Sequence, residues 1–151
     1  MALFGIKKKK TVADQKPPAP KYEIPPFSLW NKYSFEQSNS FRGCKRFRLR
    51  LSYARPVCEA NVDKFRQRGF DLKGSHVDLL HGMINDANQF EAIVVVVDGL
   101  QIGSLWRSDK YDDAFQALVD KRIEKVHIRI EDVVLDDGTE AGTAVYMYLK
   151  W

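Results

Sequence analysis

The stretch NQFEAIVVVVDGLQIGSLW, residues 88–106, decides the fold that the sequence predicts. Its run from Ala92 to Val97 is uncharged and rich in β-branched residues, which is typical of a strand covered on both faces. Asp98-Gly99 then supplies the positive φ values of a two-residue type I′ turn into a second apolar segment, Leu100 to Leu105. We therefore expect an antiparallel hairpin, because parallel strands cannot be joined by two residues.

Strands with alternating faces are predicted on either side of this hairpin. In KRFRLRLSYA, residues 45–54, apolar side chains alternate with Arg46, Arg48 and Arg50, which indicates a half-buried strand with an arginine face. EKVHIRIEDVVL, residues 124–135, and TAVYMYLKW, residues 143–151, alternate in the same way. The inward positions predicted for these two strands are Val126, Ile128, Ile130, Val145, Met147 and Leu149.

Two short helices are predicted between the strands. PVCEANVDKFRQRGF, residues 56–70, fits a helix that Gly69 ends, and SDKYDDAFQALVDK, residues 108–121, fits a helix capped by Ser108. The apolar face predicted for the second helix consists of Tyr111, Phe115, Leu118 and Val119. GSHVDLLHGMI, residues 74–84, fits either a strand or a helical turn. The fold class predicted is mainly β (α+β), a small curled or barrel-like antiparallel sheet with two short helices.

The N-terminal 40 residues differ in composition from the rest. We predict a basic, Pro-rich and then aromatic leader over residues 1–40, extended and partly disordered, followed by one domain over residues 41–151. The leader contains the lysine cluster Lys7 to Lys10. The segment 22–41 carries six aromatic residues, which we expect to lie across the domain, with a partner protein as the alternative. These residues are Tyr22, Phe27, Trp30, Tyr33, Phe35 and Phe41.

Composition limits the class of protein. The 151 residues are 44% hydrophobic, which is enough for one sizeable core. No apolar run approaches the ~20 residues of a membrane span, and the N-terminus lacks the layout of a secretory signal, so we expect a cytoplasmic protein. Cys44 and Cys58 are interpreted as ordinary reduced thiols. The net charge of +4 comes from residues 1–40, since the later part carries 17 charges of each sign.

No motif of a catalytic site is present. A phosphate-binding loop, a Gly-x-Ser-x-Gly elbow and a His-Glu-x-x-His helix are all missing from the sequence. His76, His81 and His127 lack the usual spacing of metal ligands. The carboxylate pairs Asp112-Asp113 and Asp136-Asp137 fit a helix N-terminus and a turn, respectively. We therefore predict neither an enzyme nor a cofactor or metal site.

The row Arg46, Arg48 and Arg50, hereafter the arginine row, indicates a different activity. Residues two apart on a strand project from one face about 6.5–7 Å apart, close to the spacing of successive phosphates in a nucleic-acid strand. Tyr53 and Phe90 are candidate platforms for stacking bases. The alternative interpretation is a solvated outer face that pairs with Asp or Glu on the neighbouring strand.

From Arg46 to Trp151 the chain resembles the HIRAN family, small β-rich domains found in DNA-repair helicase-like proteins. EAIVVVVDGLQIGSLWRSDKYDDAFQALVD is similar to the family pattern of an Ala-Ile strand, a short turn, a Gly-x-Leu segment and a helix. The resemblance implies an OB-like or SH3-like barrel that binds the 3′ end of single-stranded DNA. It also implies site residues: Tyr53 on the first strand, Asn88, Phe90 and Glu91 in the ligand loop, Ser104 in the Gly-x-Leu segment and Arg107 beside it.

Two functional hypotheses follow. The first is a non-enzymatic, HIRAN-like module that binds single-stranded DNA or another nucleic acid through the arginine row and the residues implied by the resemblance. The second is a protein-interaction or structural module that keeps the fold but has lost the DNA-end site. In that case the segment 22–41 would meet another protein, and deletion of residues 1–40 would leave the barrel folded.

Overall fold

The computed structural model describes residues 30–51, 54–85 and 90–151, with the backbone alone for residues 83–85 and 90. This part of the chain forms seven strands and two α-helices. In chain order they are β1 (Asn31–Glu36), β2 (Lys45–Arg48), α1 (Arg55–Arg66), β3 (His76–Asn85), β4 (Phe90–Val97), β5 (Leu100–Trp106), α2 (Asp112–Val119), β6 (Lys125–Val134) and β7 (Glu140–Lys150). A 3-10 turn, Asp109–Tyr111, precedes α2. The predicted mainly β class with two helices is confirmed.

The strands form two antiparallel sheets that face each other across one core. The first has the order β1-β3-β4-β5 and the second the order β2-β7-β6. Single bridges link the sheets at both sides, Gln37 with Val126 and Arg50 with Ser104. The result is the predicted antiparallel barrel in an open form, because isolated bridges rather than continuous ladders join its two halves.

The hairpin β4–β5 agrees with its prediction. All residues from Ala92 to Val97 are buried, so this strand is covered on both faces. Asp98 and Gly99 have φ values of 50° and 80°, as the two central residues of a type I′ turn require. Val97 pairs with Leu100 across the turn. Of the residues 74–84, which the sequence left between strand and helix, those from His76 onward belong to β3, which pairs with both β1 and β4.

Both helices occur near their predicted positions. Helix α1 has Pro56 in its first turn, and the chain leaves it through Gly69 at φ +70°. Cys58, Val62 and Phe65 of α1 are buried. Its buried Asn61 donates a 2.8 Å hydrogen bond to the carbonyl of Gln101, which fastens the helix to β5.

Two details predicted for the second helix are wrong. The Ser108 hydroxyl makes no cap hydrogen bond, because the first turn is a 3-10 turn in which the N–H of Tyr111 donates to the Ser108 backbone carbonyl. Val119 is 44% exposed rather than part of the apolar face. It is the last residue of α2, and it points about 100° around the helix axis from the buried Leu118. Phe115 is buried as predicted.

The last part of the segment assigned to the leader is a strand of the sheet. Trp30 is only 6% exposed and lies against β3, where a Cβ placed on Gly82 would come within 2.6 Å of the Trp30 ring. Tyr33 and Phe35 pack on the main core from β1. These aromatic side chains therefore lie on the domain, whereas Tyr22 and Phe27 are outside the described residues. No helix in the described ranges is both long and apolar enough to cross a membrane.

Candidate nucleic-acid interface

The arginine row lies on the outer side of β2, as the alternation predicts. Phe47 and Leu49 point into the core and are buried, while Arg46, Arg48 and Arg50 are exposed. The ladder of β2 ends at Arg48. Two residues later, the backbone of Arg50 exchanges hydrogen bonds of 2.8 Å in both directions with Ser104 of β5. The row therefore runs from the second sheet to the edge of the first.

Among the described residues, no acidic side chain is paired with the arginine row. The register of β2 on β7 places Arg46 opposite Tyr148 and Arg48 opposite Tyr146, so its neighbours across the ladder are tyrosines. The Arg46 guanidinium lies 5.0 Å from the centre of the Tyr146 ring. Within residues 30–51, 54–85 and 90–151, none of the three arginines forms an ion pair. The alternative interpretation, pairing with Asp or Glu on the adjacent strand, is wrong for this part of the chain.

Arg48 and Arg50 line a cleft of about 310 Å³ between the end of β2, the end of β5 and the 3-10 turn. We call it the β2–β5 cleft. Its remaining lining residues are Ser104, Leu105, Trp106, Arg107, Ser108, Lys110 and Tyr111. The fold thus brings Arg48 and Arg50 of the arginine row together with the segment around Arg107, to which the HIRAN resemblance assigned a separate role.

Arg107 is held inside a network of charges. Its Nε lies 2.9 Å from Oε2 of Glu91, its Nη1 lies 2.6 Å from Oδ1 of Asp112, and its guanidinium lies 4.8 Å from the centre of the Phe115 ring. Two carboxylates and an aromatic face therefore occupy this cation. Arg107 therefore holds the wall of the cleft in position, and Glu91 is its ion-pair partner.

Glu91 also approaches a buried imidazole. Nε2 of His81 lies 3.2 Å from Oε1 of Glu91, although the two groups are not aligned as a hydrogen bond. Burial lowers the pKa of His81, and the negative charge of Glu91 opposes that shift without overcoming it. His81 is therefore neutral at pH 7, and it packs edge-on against Phe115.

The cleft contains a cation that sequence reasoning missed. Lys110 lines it beside Tyr111, with its Nζ 5.2 Å from the centre of that ring, and it forms no ion pair in the described part of the chain. Tyr111 in turn meets Phe47 edge-on at 5.5 Å. Arg48, Arg50 and Lys110 are therefore the cations of the cleft that have no carboxylate partner among the described residues. The position of Lys110 in the sequence, five residues after Leu105 of the Gly-x-Leu segment, gave no signal of this role.

The remaining residues of the predicted site do not lie together in the structure, and some of them fall outside its described part. Tyr53 and Asn88 fall outside the described residues, and Phe90 is described only as the backbone that begins β4. Ser104 is fully buried and serves the bridge to Arg50. Arg46 lies two residues before Arg48 on β2 and is not among the residues that line the cleft.

The three described histidines have separate neighbours rather than a shared site. His76 lies 2.9 Å from Asp78, whereas His127 shares a 2.7 Å hydrogen bond between its Nδ1 and the Ser38 carbonyl. Among the residues that the structure describes, no group of three or more His, Cys, Asp or Glu side chains is placed to hold a metal ion.

No family model matches the chain, and no curated protein or solved structure matches it. The likeness to the HIRAN family therefore rests on the sequence pattern alone.

Proposed function

We propose that the chain is a non-enzymatic module that binds single-stranded nucleic acid and takes a terminal nucleotide, the 3′ end by the HIRAN resemblance, into the β2–β5 cleft. The observation that supports this proposal is the convergence on one cleft of three cations, Arg48, Arg50 and Lys110, that have no carboxylate partner among the described residues. Guanidinium and ammonium groups that lack carboxylate partners favour a phosphate ligand.

The dimensions of the cleft favour a small unit of the ligand. A volume of about 310 Å³ is at the lower limit of small-molecule sites, which cover roughly 300–1,000 Å³. This space suits one nucleotide, with the half-buried ring of Tyr111 as the surface nearest a base. Arg107 and Glu91 maintain the shape of the wall, and the cations supply the attraction.

The protein-interaction alternative has less support. It depended on the aromatic segment 22–41 being available to a partner. In the described part of that segment Trp30 is buried and Tyr33 and Phe35 pack on the core of their own domain, which leaves Phe41 as the exposed aromatic side chain. Trp30, Tyr33 and Phe35 therefore pack within their own domain and offer little surface to a partner protein.

Fluorescence anisotropy with a labelled eight-nucleotide single strand tests the proposal. We expect binding at low ionic strength that weakens as salt rises, with a log–log slope at least as steep as about −2, the value for the three phosphate contacts of the cleft alone on a single strand. Arg50→Gln and Lys110→Gln should each weaken binding several-fold. Lys64→Gln removes the same charge from an exposed position of α1 and should leave binding unchanged.

Oligonucleotides with free and with blocked 3′ ends separate the terminal mode from general electrostatic attraction. A preference for the free end supports the proposed terminal nucleotide, and equal affinity argues against it. Absence of binding at low salt, or an equal effect of Lys64→Gln and Arg50→Gln, would overturn the proposal as a whole.

A further inference from the structure

The outer face of the second sheet carries two crosswise rows of aromatic and basic side chains. The central strand β7 contributes a tyrosine to each row, and the flanking strands β2 and β6 contribute basic or imidazole groups. The rows are Arg46, Tyr148 and His127, and then Arg48, Tyr146 and Arg129. We call this surface the tyrosine face. Its inward counterparts, such as Phe47 and Met147, are buried in the core.

Phe41 extends the aromatic surface. Its ring stacks on Tyr148, with the centroids 4.7 Å apart and an interplanar angle of 30°, and 44% of the residue is exposed. Tyr148 is only 7% exposed because Phe41 lies over it. Tyr146 is half-buried and lies 6.5 Å from Tyr148. The rings that a ligand can reach on this face are therefore those of Phe41 and Tyr146.

A cation lies over each of these two rings. Arg46 is 5.0 Å from the centre of the Tyr146 ring, and Arg129 is 5.9 Å from the centre of the Phe41 ring. Arg129 has a carboxylate neighbour, Glu131 at 3.2 Å, but both side chains are more than 40% exposed, so water screens that pair. An arginine thus lies over each accessible ring, and this pairing of a flat aromatic group with a cation is complementary to a base and its phosphate.

The tyrosine face is continuous with the β2–β5 cleft. Arg48 belongs to both, because it lines the cleft and also stands in the row of Tyr146. Two residues along a strand span about 6.5–7 Å, and neighbouring strands are about 4.8 Å apart. From Arg50 to Arg46 the surface therefore extends about 13–14 Å, which corresponds to roughly two or three nucleotides beyond the one in the cleft.

We propose that a single strand of nucleic acid leaves the cleft over Arg48 and crosses the tyrosine face, stacking bases on Tyr146 and Phe41 while Arg46 and Arg129 hold its phosphates. This inference rests on the proposed function and adds a second part to its site. Charge complementarity and accessible rings together favour nucleic acid as the occupant, because arginines alone would equally attract any polyanion, whereas rings beside them recognise bases.

The length of the ligand distinguishes the two parts of the site. A nucleoside monophosphate should occupy the cleft alone, while an eight-nucleotide strand should also cross the tyrosine face. Tyr146→Leu and Phe41→Leu should each weaken binding of the eight-mer about 5- to 150-fold, the range for loss of one stacked base. Binding of the monophosphate should stay unchanged. Tyr146→Phe keeps the ring and should bind the eight-mer like the native chain.

The outcomes separate this inference from the proposed function. If neither ligand binds, the proposed function fails. If Arg50→Gln weakens binding of both ligands but Tyr146→Leu weakens binding of neither, the cleft stands and the path across the tyrosine face is overturned. The path is also overturned if Tyr146→Phe weakens binding of the eight-mer as much as Tyr146→Leu does.

Photo-crosslinking provides a second measurement that needs no variant. An eight-mer with a photoreactive uracil at each position in turn should crosslink to Tyr146 or Phe41 from inner positions of the strand, as mapped by mass spectrometry. Crosslinks confined to the segment 104–111 would overturn the path. This result does not depend on the folding of a substituted chain.

Discussion

The Arg107 guanidinium lies 2.9 Å from the carboxylate of Glu91 and joins the end of β5 to the beginning of β4. The other oxygen of that carboxylate stands 3.2 Å from the imidazole of His81, which is 9% exposed. One acidic side chain therefore holds a permanent cation of the cleft wall and faces a buried group that can acquire a proton. This arrangement makes the stability of the cleft depend on pH.

We expect the protein to lose stability as the pH falls below about 6.5. The unfolded state binds a proton at His81 with the ordinary pKa of about 6.5, whereas burial lowers that pKa in the folded state. The stabilisation that comes from this difference in pKa is therefore complete above about pH 6.5. It is lost as the pH falls toward the lowered pKa of His81 in the folded state. Urea unfolding between about pH 7.5 and 5.5 should show the decline.

His81→Gln should flatten the decline, while the control Val57→Ala, at an exposed position without a titratable group, should not. Glu91→Gln should lower the pKa of His81 further, since the Glu91 charge raises it, and an NMR titration of the imidazole would detect the change. An unaltered pH dependence in His81→Gln would show that another group is responsible.

Local periodicity accounts for what the sequence could predict. The turn residues Asp98-Gly99 and the alternation through Phe47 and Leu49 are properties of neighbouring positions, so they determined the hairpin and the exposed arginine row. The partners of β2 are set by pairing over about 100 residues. For that reason the sequence did not reveal that tyrosines, not carboxylates, face Arg46 and Arg48.

The site was predicted only in part for the same reason. Arg107 was selected from the sequence, but its ion pairs with Glu91 and Asp112 depend on how β4, β5 and α2 meet. Lys110 gained significance only when the bridge between Arg50 and Ser104 brought two distant segments to one cleft. Side-chain types identified the chemistry, while tertiary contacts decided which cations were left without partners.

A chain that begins at residue 41 should be far less stable than one that begins at residue 30. The shorter chain lacks β1, which leaves β3 as an unpaired edge, and it lacks the buried Trp30. Loss of a buried tryptophan alone costs about 3–5 kcal/mol, against a total stability of about 5–15 kcal/mol for an ordinary domain. Circular dichroism during urea unfolding measures the difference. Equal midpoints for the two chains would contradict a structural role for β1 and Trp30.

Gly82→Ala should destabilise the protein by overpacking. The added Cβ would lie 2.6 Å from Cδ2 of Trp30, which is closer than carbon atoms approach, so the ring must shift. Insertion of a methyl group into such a contact costs about 1–3 kcal/mol. Because the clash is with Trp30, the same substitution in a Trp30→Leu background should cost much less. A double-mutant cycle of unfolding free energies tests this coupling, and equal costs in both backgrounds would refute it.

The two cysteines should differ sharply in reactivity. Burial, with a smaller contribution from the charge of Glu59, raises the pKa of Cys58 to about 11, so only about one thiol in a thousand is ionised at pH 8. Cys44 is half-buried and accessible from the surface. Iodoacetamide at pH 8 should therefore alkylate Cys44 in the native protein and spare Cys58, while both should react in urea. Peptide mapping identifies the modified residue, and Cys44→Ser should remove the native reaction. Equal rates at the two positions in the native protein would show that the α1 packing around Cys58 opens readily.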